Sequence, residues 1–129
     1  MEAVRVLFVD DSDDDVYLTT RKLREAGLAV DVHTVTSTHE LEHELRVWLP
    51  DIVVSDVRMP RFDGFQALEV VRKCTPTVPF VFLCGCANRN AARAIEYGAF
   101  AIVDKDHADE LPSVISSALA ERAAHTSPQ

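Results

Sequence analysis

Five short apolar runs, each followed by a stretch with helical spacing, constrain this chain more than any other feature. The runs fall at Val4–Val9, Val30–Val35, 52–54, 79–83 and 100–103. After the first run a helix is predicted to about Ala26, with Val16, Leu23 and the intervening Thr19 and Thr20 on one face and Gly27 as its stop. Ser37-Thr38-His39-Glu40 has the form of a capping box, and the helix it opens carries Leu41, Leu45 and Trp48 before stopping at Pro50. Asp63-Gly64 leads into a third helix with Ala67, Leu68 and Val71 inward. A fourth is predicted over 88–97, stopping at Gly98, and a fifth over 108–124 with Leu111, Val114, Ile115 and Ala118 as its stripe.

Strand–helix alternation of this kind predicts an α/β protein with a parallel sheet covered by helices on both faces. Runs one, three and four are almost wholly apolar, as strands buried on both sides should be. The second run mixes Val30, Val32 and Val35 with Asp31, His33 and Thr34, which suits an edge. The doubly wound, flavodoxin-like order 2-1-3-4-5 meets both requirements. A chain of 129 residues fits one domain, placed at 1–124, with a polar, frayed or truncated tail at 125–129.

In such a sheet, ligands bind beyond the carboxyl ends of the strands, near the point where strand order reverses. Asp10 and Asp11 follow strand one, Asp56 follows strand three, Cys84 strand four and Lys105 strand five. Three carboxylates and one ammonium are therefore predicted to converge from distant segments. Crowded carboxylates raise one another's proton affinity, and a hard divalent cation relieves the repulsion. Such oxygen ligands suit Mg²⁺, which shares its remaining positions with water and phosphate oxygens. A carboxylate is also a competent nucleophile toward phosphorus, giving an acyl phosphate whose charge the lysine would balance.

The stretch Leu7-Phe8-Val9-Asp10-Asp11-Ser12, the stretch from Asp51 through Asp56-Val57-Arg58-Met59-Pro60 with Asp63-Gly64, and the stretch from Gly98-Ala99 through Lys105 resemble the receiver domains of response regulators in bacterial two-component signalling. The resemblance runs from Arg5 to about Leu119. It implies Asp56 as phosphoacceptor, with Asp11 and Asp56 ligating Mg²⁺ directly, Asp10 acting through water and the backbone carbonyl of Arg58 as a third protein oxygen. It implies Lys105 as partner of the phosphoryl group, and a loop shaped by Met59-Pro60 and Asp63-Gly64. The implied donor is a histidine kinase or histidine phosphotransfer protein, and the implied target a downstream protein or a fused output domain. Catalysis would be limited to the chain's own phosphorylation and dephosphorylation. No output segment follows the fifth helix, so the chain reads as a stand-alone receiver or a piece of a longer protein such as a hybrid kinase.

Three positions depart from the family pattern. Cys84 stands where a Thr or Ser hydroxyl usually bonds the phosphoryl group, and a thiol is a weaker donor. Ile102 stands where a Tyr or Phe usually rotates on activation. Asp106 replaces the frequent proline after the lysine, which predicts an ordinary trans loop. The first two favour an alternative reading, a receiver-like interaction module with weak or no phosphorylation-driven switching.

Other signals weigh less. His39-Glu40-Leu41-Glu42-His43 reads H-E-x-x-H, a zinc-protease pattern, but Glu40 is already explained as a capping partner and the buried stripe leaves both histidines toward solvent. Asp13-Asp14-Asp15 fit the positive end of a helix dipole. An aspartate-based phosphatase with Asp11 as nucleophile and Asp13 as acid would need a substrate cap and more chain. The formal net charge of −8 argues against nucleic acid and anionic membranes as direct partners. No apolar run approaches the ~20 residues that span a bilayer. Three cysteines without zinc or redox spacing read as reduced thiols of a cytoplasmic protein.

Overall fold

The computed structural model describes residues 3–60, 63–85 and 87–126. Its elements run β1 (Val4–Val9), α1 (Asp13–Glu25), β2 (Val30–Val35), α2 (Thr38–Val47), β3 (Ile52–Ser55), α3 (Gly64–Cys74), β4 (Phe80–Cys84), α4 (Ala87–Glu96), β5 (Ala101–Asp104), a 3₁₀ turn (Lys105–Glu110) and α5 (Leu111–Thr126). All strands are parallel, in the order β2-β1-β3-β4-β5. The first two strands have the predicted bounds. The others each reach one residue further toward the carboxyl end than the apolar runs suggested, which carries Ser55, Cys84 and Asp104 into the ladder.

Side-chain alternation along the strands splits the core in two. Leu7, Val9, Val53, Phe80 and Phe82 pack with Leu41 and Leu45 of α2, Leu68 and Val71 of α3 and Ala94 of α4. Val6, Phe8, Ile52, Val54, Val81 and Leu83 point the other way, against Val16 and Leu23 of α1 and Ile115 and Ala118 of α5. Period-two alternation on a central strand thus feeds two helical layers at once. β2 keeps only its inward residues Val30 and Val35 buried and leaves Asp31, His33 and Thr34 exposed, as an edge strand should.

Two local expectations are refined. The predicted continuous helix over 108–124 is instead a 3₁₀ turn followed by α5. Pro112 is the reason: it has no N–H to give the Ala108 carbonyl, which instead accepts from Leu111 N one residue earlier. α5 then continues through Thr126, so it takes in His125 and Thr126 of the expected tail, while 127–129 lie outside the described residues. At α2, Ser37 Oγ accepts from Glu40 N at 3.2 Å, whereas Glu40 Oε1 reaches back to Thr36, taking its N–H at 2.9 Å. A reciprocal capping box is complete at α3, between Asp63 and Gln66.

The opposite pole is tied by Arg72, whose guanidinium donates to the carbonyls of Val78 and Gly98, each at 2.7 Å. These bonds join the end of α3 to the entries of β4 and β5. No described helix is long and apolar enough to cross a membrane.

Candidate functional site

The carboxyl ends of β1, β3 and β5 bring Asp10, Asp56 and Lys105 together. Backbone bonds fix the strand ends: Asp10 N donates to Val35 O at 3.2 Å, and Asp56 N to Val9 O at 3.0 Å. Asp56 then holds its carboxylate in two ways. Oδ1 accepts from Val57 N at 2.7 Å, and Oδ2 accepts from Lys105 Nζ at 3.1 Å. Its side chain is 16% exposed, so a reactant has limited but real access.

Asp10 is almost fully buried, and its Oδ1 accepts from Ser12 N at 2.9 Å. Burial pushes its carboxyl up to about 6; the Ser12 N–H opposes this, and the charge on Asp56 adds to the rise. For Lys105, burial works against the charge, but hydrogen bonds to Asp15 and to Asp56 outweigh it and hold the ammonium above the usual lysine range.

Asp15 is the residue that the sequence reading passed over. Its Oδ2 accepts from Lys105 Nζ at 2.7 Å, a shorter contact than the one to Asp56. The Asp13-Asp14-Asp15 run does sit in the first turn of α1 as predicted, with Ser12 Oγ capping Asp15 N at 3.2 Å. A dipole argument treats the three alike, and only their helical phase, next to buried Val16, separates Asp15 from its exposed neighbours.

Asp11 is exposed and lines a hollow of about 310 Å³ with Thr36, Met59 and Pro60. Arg58 is exposed in the loop after β3. Cys84, the last residue of β4, is buried and packs into the α2–α3–α4 side of the core, in register with Asp104. Ile102 is partly buried against that same cluster. The loop after Lys105 contains no cis peptide, and Asp104 accepts from Asp106 N at 2.9 Å. His39 and His43 are both exposed.

Among the described residues no three carboxylate, thiol or imidazole groups form a ready-made metal cage. Mg²⁺ does not need one, since it binds through one or two carboxylates and keeps several waters. A carboxyl raised by burial and, to a lesser degree, by the charge of a second carboxylate on Asp56 is a donor set that fits such an ion.

Comparison with known proteins agrees with this geometry. Residues 6–116 match the model of the response regulator receiver domain. The chain belongs to that family. This receiver domain is 34% identical to the protein-glutamate methylesterase/protein-glutamine glutaminase of Bdellovibrio bacteriovorus, over 94% of the chain and 35% of that protein. It is 30% identical to the regulatory protein AtoC of Escherichia coli, over 89% of the chain and 25% of that protein. The domain thus spans about a third or less of the length of these relatives. Among solved structures, a response regulator receiver domain from Clostridium thermocellum superposes with a TM-score of 0.81 at 26% identity, covering 95% of this chain and 99% of that one. A receiver protein from Sinorhizobium medicae does so with a TM-score of 0.76 at 28% identity, covering 94% and 98%. The expected fold and the place of the chain in two-component signalling are both met.

Proposed function

We propose that this receiver domain is a switch phosphorylated on Asp56. The observation that carries the reading is the contact of the Lys105 ammonium with Asp56 Oδ2, on a carboxylate whose other oxygen is held by a backbone N–H. An Asp56 oxygen attacks the phosphorus of a phosphohistidine on a histidine kinase or phosphotransfer protein. The P–N bond breaks, its electron pair stays on the imidazole, and an acyl phosphate forms. Lys105 donates to the new phosphoryl oxygens. Asp10, Asp11, Asp56 and the Arg58 carbonyl would hold Mg²⁺, which supplies positive charge against the phosphoryl group as it transfers. The switch acts in the cytoplasm, and its output lies in a downstream protein or in further domains like those of its longer relatives.

A second reading, an interaction module without strong switching, draws on Cys84 and Ile102. The buried Cys84 thiol is a weak hydrogen-bond donor to a phosphoryl oxygen, and Ile102 already packs on the core with no ring to rotate. Incubation with acetyl phosphate and Mg²⁺ followed by intact mass separates the two. The switch predicts an adduct that disappears in Asp56→Asn. No adduct on the wild-type chain leaves the interaction module.

A further inference from the structure

We propose that Asp15 is a positioning residue for Lys105, sharing its ammonium with Asp56 and competing with the phosphoryl group for it. This rests on the reading of Asp56 as phosphoacceptor. Lys105 Nζ lies 2.7 Å from Asp15 Oδ2 and 3.1 Å from Asp56 Oδ2, so the unphosphorylated resting place of the ammonium is drawn toward α1. The backbone on both sides is fixed. Ser12 caps α1 at Asp15 N, and Lys105 follows directly on β5, whose neighbour Asp104 caps the next turn.

The partners differ in wetness. The side chain of Asp15 is 40% exposed, Lys105 30% and Asp56 16%. Water moderates the Asp15 pair, so it can yield to a more highly charged acceptor without leaving a dry, uncompensated carboxylate behind. A phosphoryl group on Asp56 brings charge that attracts the ammonium and repels Asp15 at once. Asp15 therefore lowers the affinity of the site for phosphoryl while keeping Lys105 extended toward it in the resting state. Asp13 and Asp14 carry the same charge in the same turn and are exposed. They provide the control for a mere field effect.

The test is the affinity for beryllofluoride, a phosphoryl mimic, at saturating Mg²⁺, read from ¹H–¹⁵N spectra of the full chain. Asp15→Asn is expected to bind it about fivefold more tightly, the ratio to which ~1 kcal/mol corresponds. Asp15→Glu should return toward wild type, and Asp14→Asn should stay within about twofold of it. Asp15→Ser, which suits a first helical turn, repeats the measurement should Asn perturb α1. Equal or weaker binding by Asp15→Asn, or the same gain in Asp14→Asn, overturns the proposal and leaves the phosphoacceptor reading intact. A wild-type chain that binds no beryllofluoride and takes no phosphoryl group on Asp56 removes both.

Discussion

Gly64 lies so close to Asp56 that a Cβ on it would stand 2.3 Å from the Asp56 carbonyl oxygen and 2.6 Å from Phe82 Cε1. The same residue donates its N–H to Val57 O at 2.7 Å, so the first residue of α3 clamps the chain just after Asp56. Backbone and buried ring cannot both retreat. Gly64→Ala should cost about 1–3 kcal/mol, as other overpacked sites do, and shift the Asp56 and Val57 amide signals. Gly85→Ala, where a Cβ meets nothing within 4 Å, is the comparison and should stay within about 0.5 kcal/mol in urea unfolding.

Asp10 gives the metal-free protein a pH dependence of defined sign. Its carboxyl rises from 3.8 to about 6 on folding, so between those values the folded state binds more protons than the unfolded. The contribution is therefore fully present below 3.8 and is lost as pH rises through about 6. At about pH 7 the ionised, buried group costs on the order of 3 kcal/mol. Asp10→Asn should recover roughly 1–3 kcal/mol there in the presence of a chelator, and the gap should close near pH 4. Urea unfolding of both proteins across that range decides it, and a gap that widens on acidification contradicts the assignment.

Cys84→Thr restores a hydroxyl at the end of β4 with little change of volume. Beryllofluoride affinity should rise by about two- to tenfold, the value of one added hydrogen bond. Spectral shifts across residues 88–119 separate binding from coupling. The wild-type chain should show small shifts there on beryllofluoride binding, because Ile102 is already packed against the core. Large shifts in the wild type would refute weak coupling.

Arg72 supports the pole opposite the site. Burial lowers its proton affinity, yet its guanidinium donates to the carbonyls of Val78 and Gly98, in the turns that lead into β4 and β5. Arg72→Met keeps much of the aliphatic stem and removes both charge-assisted bonds. The expected loss is roughly 2–4 kcal/mol in chemical denaturation, with phosphorylation kinetics unchanged apart from the folded fraction.

Most of the architecture was legible along the chain. Apolar runs gave every strand to within a residue at either end, and the polarity of β2 gave its place at the edge. The errors were local in cause. Pro112 broke the predicted last helix because a missing N–H matters more there than the apolar stripe. The Ser37–Glu40 signal was half met, since Glu40 turns to Thr36. The exposed, cap-committed H-E-x-x-H segment illustrates how a burial stripe outweighs a short motif.

By itself, the sequence determined which residues sit at strand ends, because the alternation of buried and exposed positions is written locally and repeats over every element. It therefore placed Asp10, Asp56, Cys84 and Lys105 at one rim. Tertiary structure alone decided which groups touch. Asp15 and Lys105 meet across 90 residues, and the stacking of His33 on Trp48 at 3.7 Å joins β2 to the end of α2. No local periodicity encodes such pairs. They follow from how far each helix is rotated and packed against the sheet, a balance of many side-chain volumes that no single stretch of chain contains.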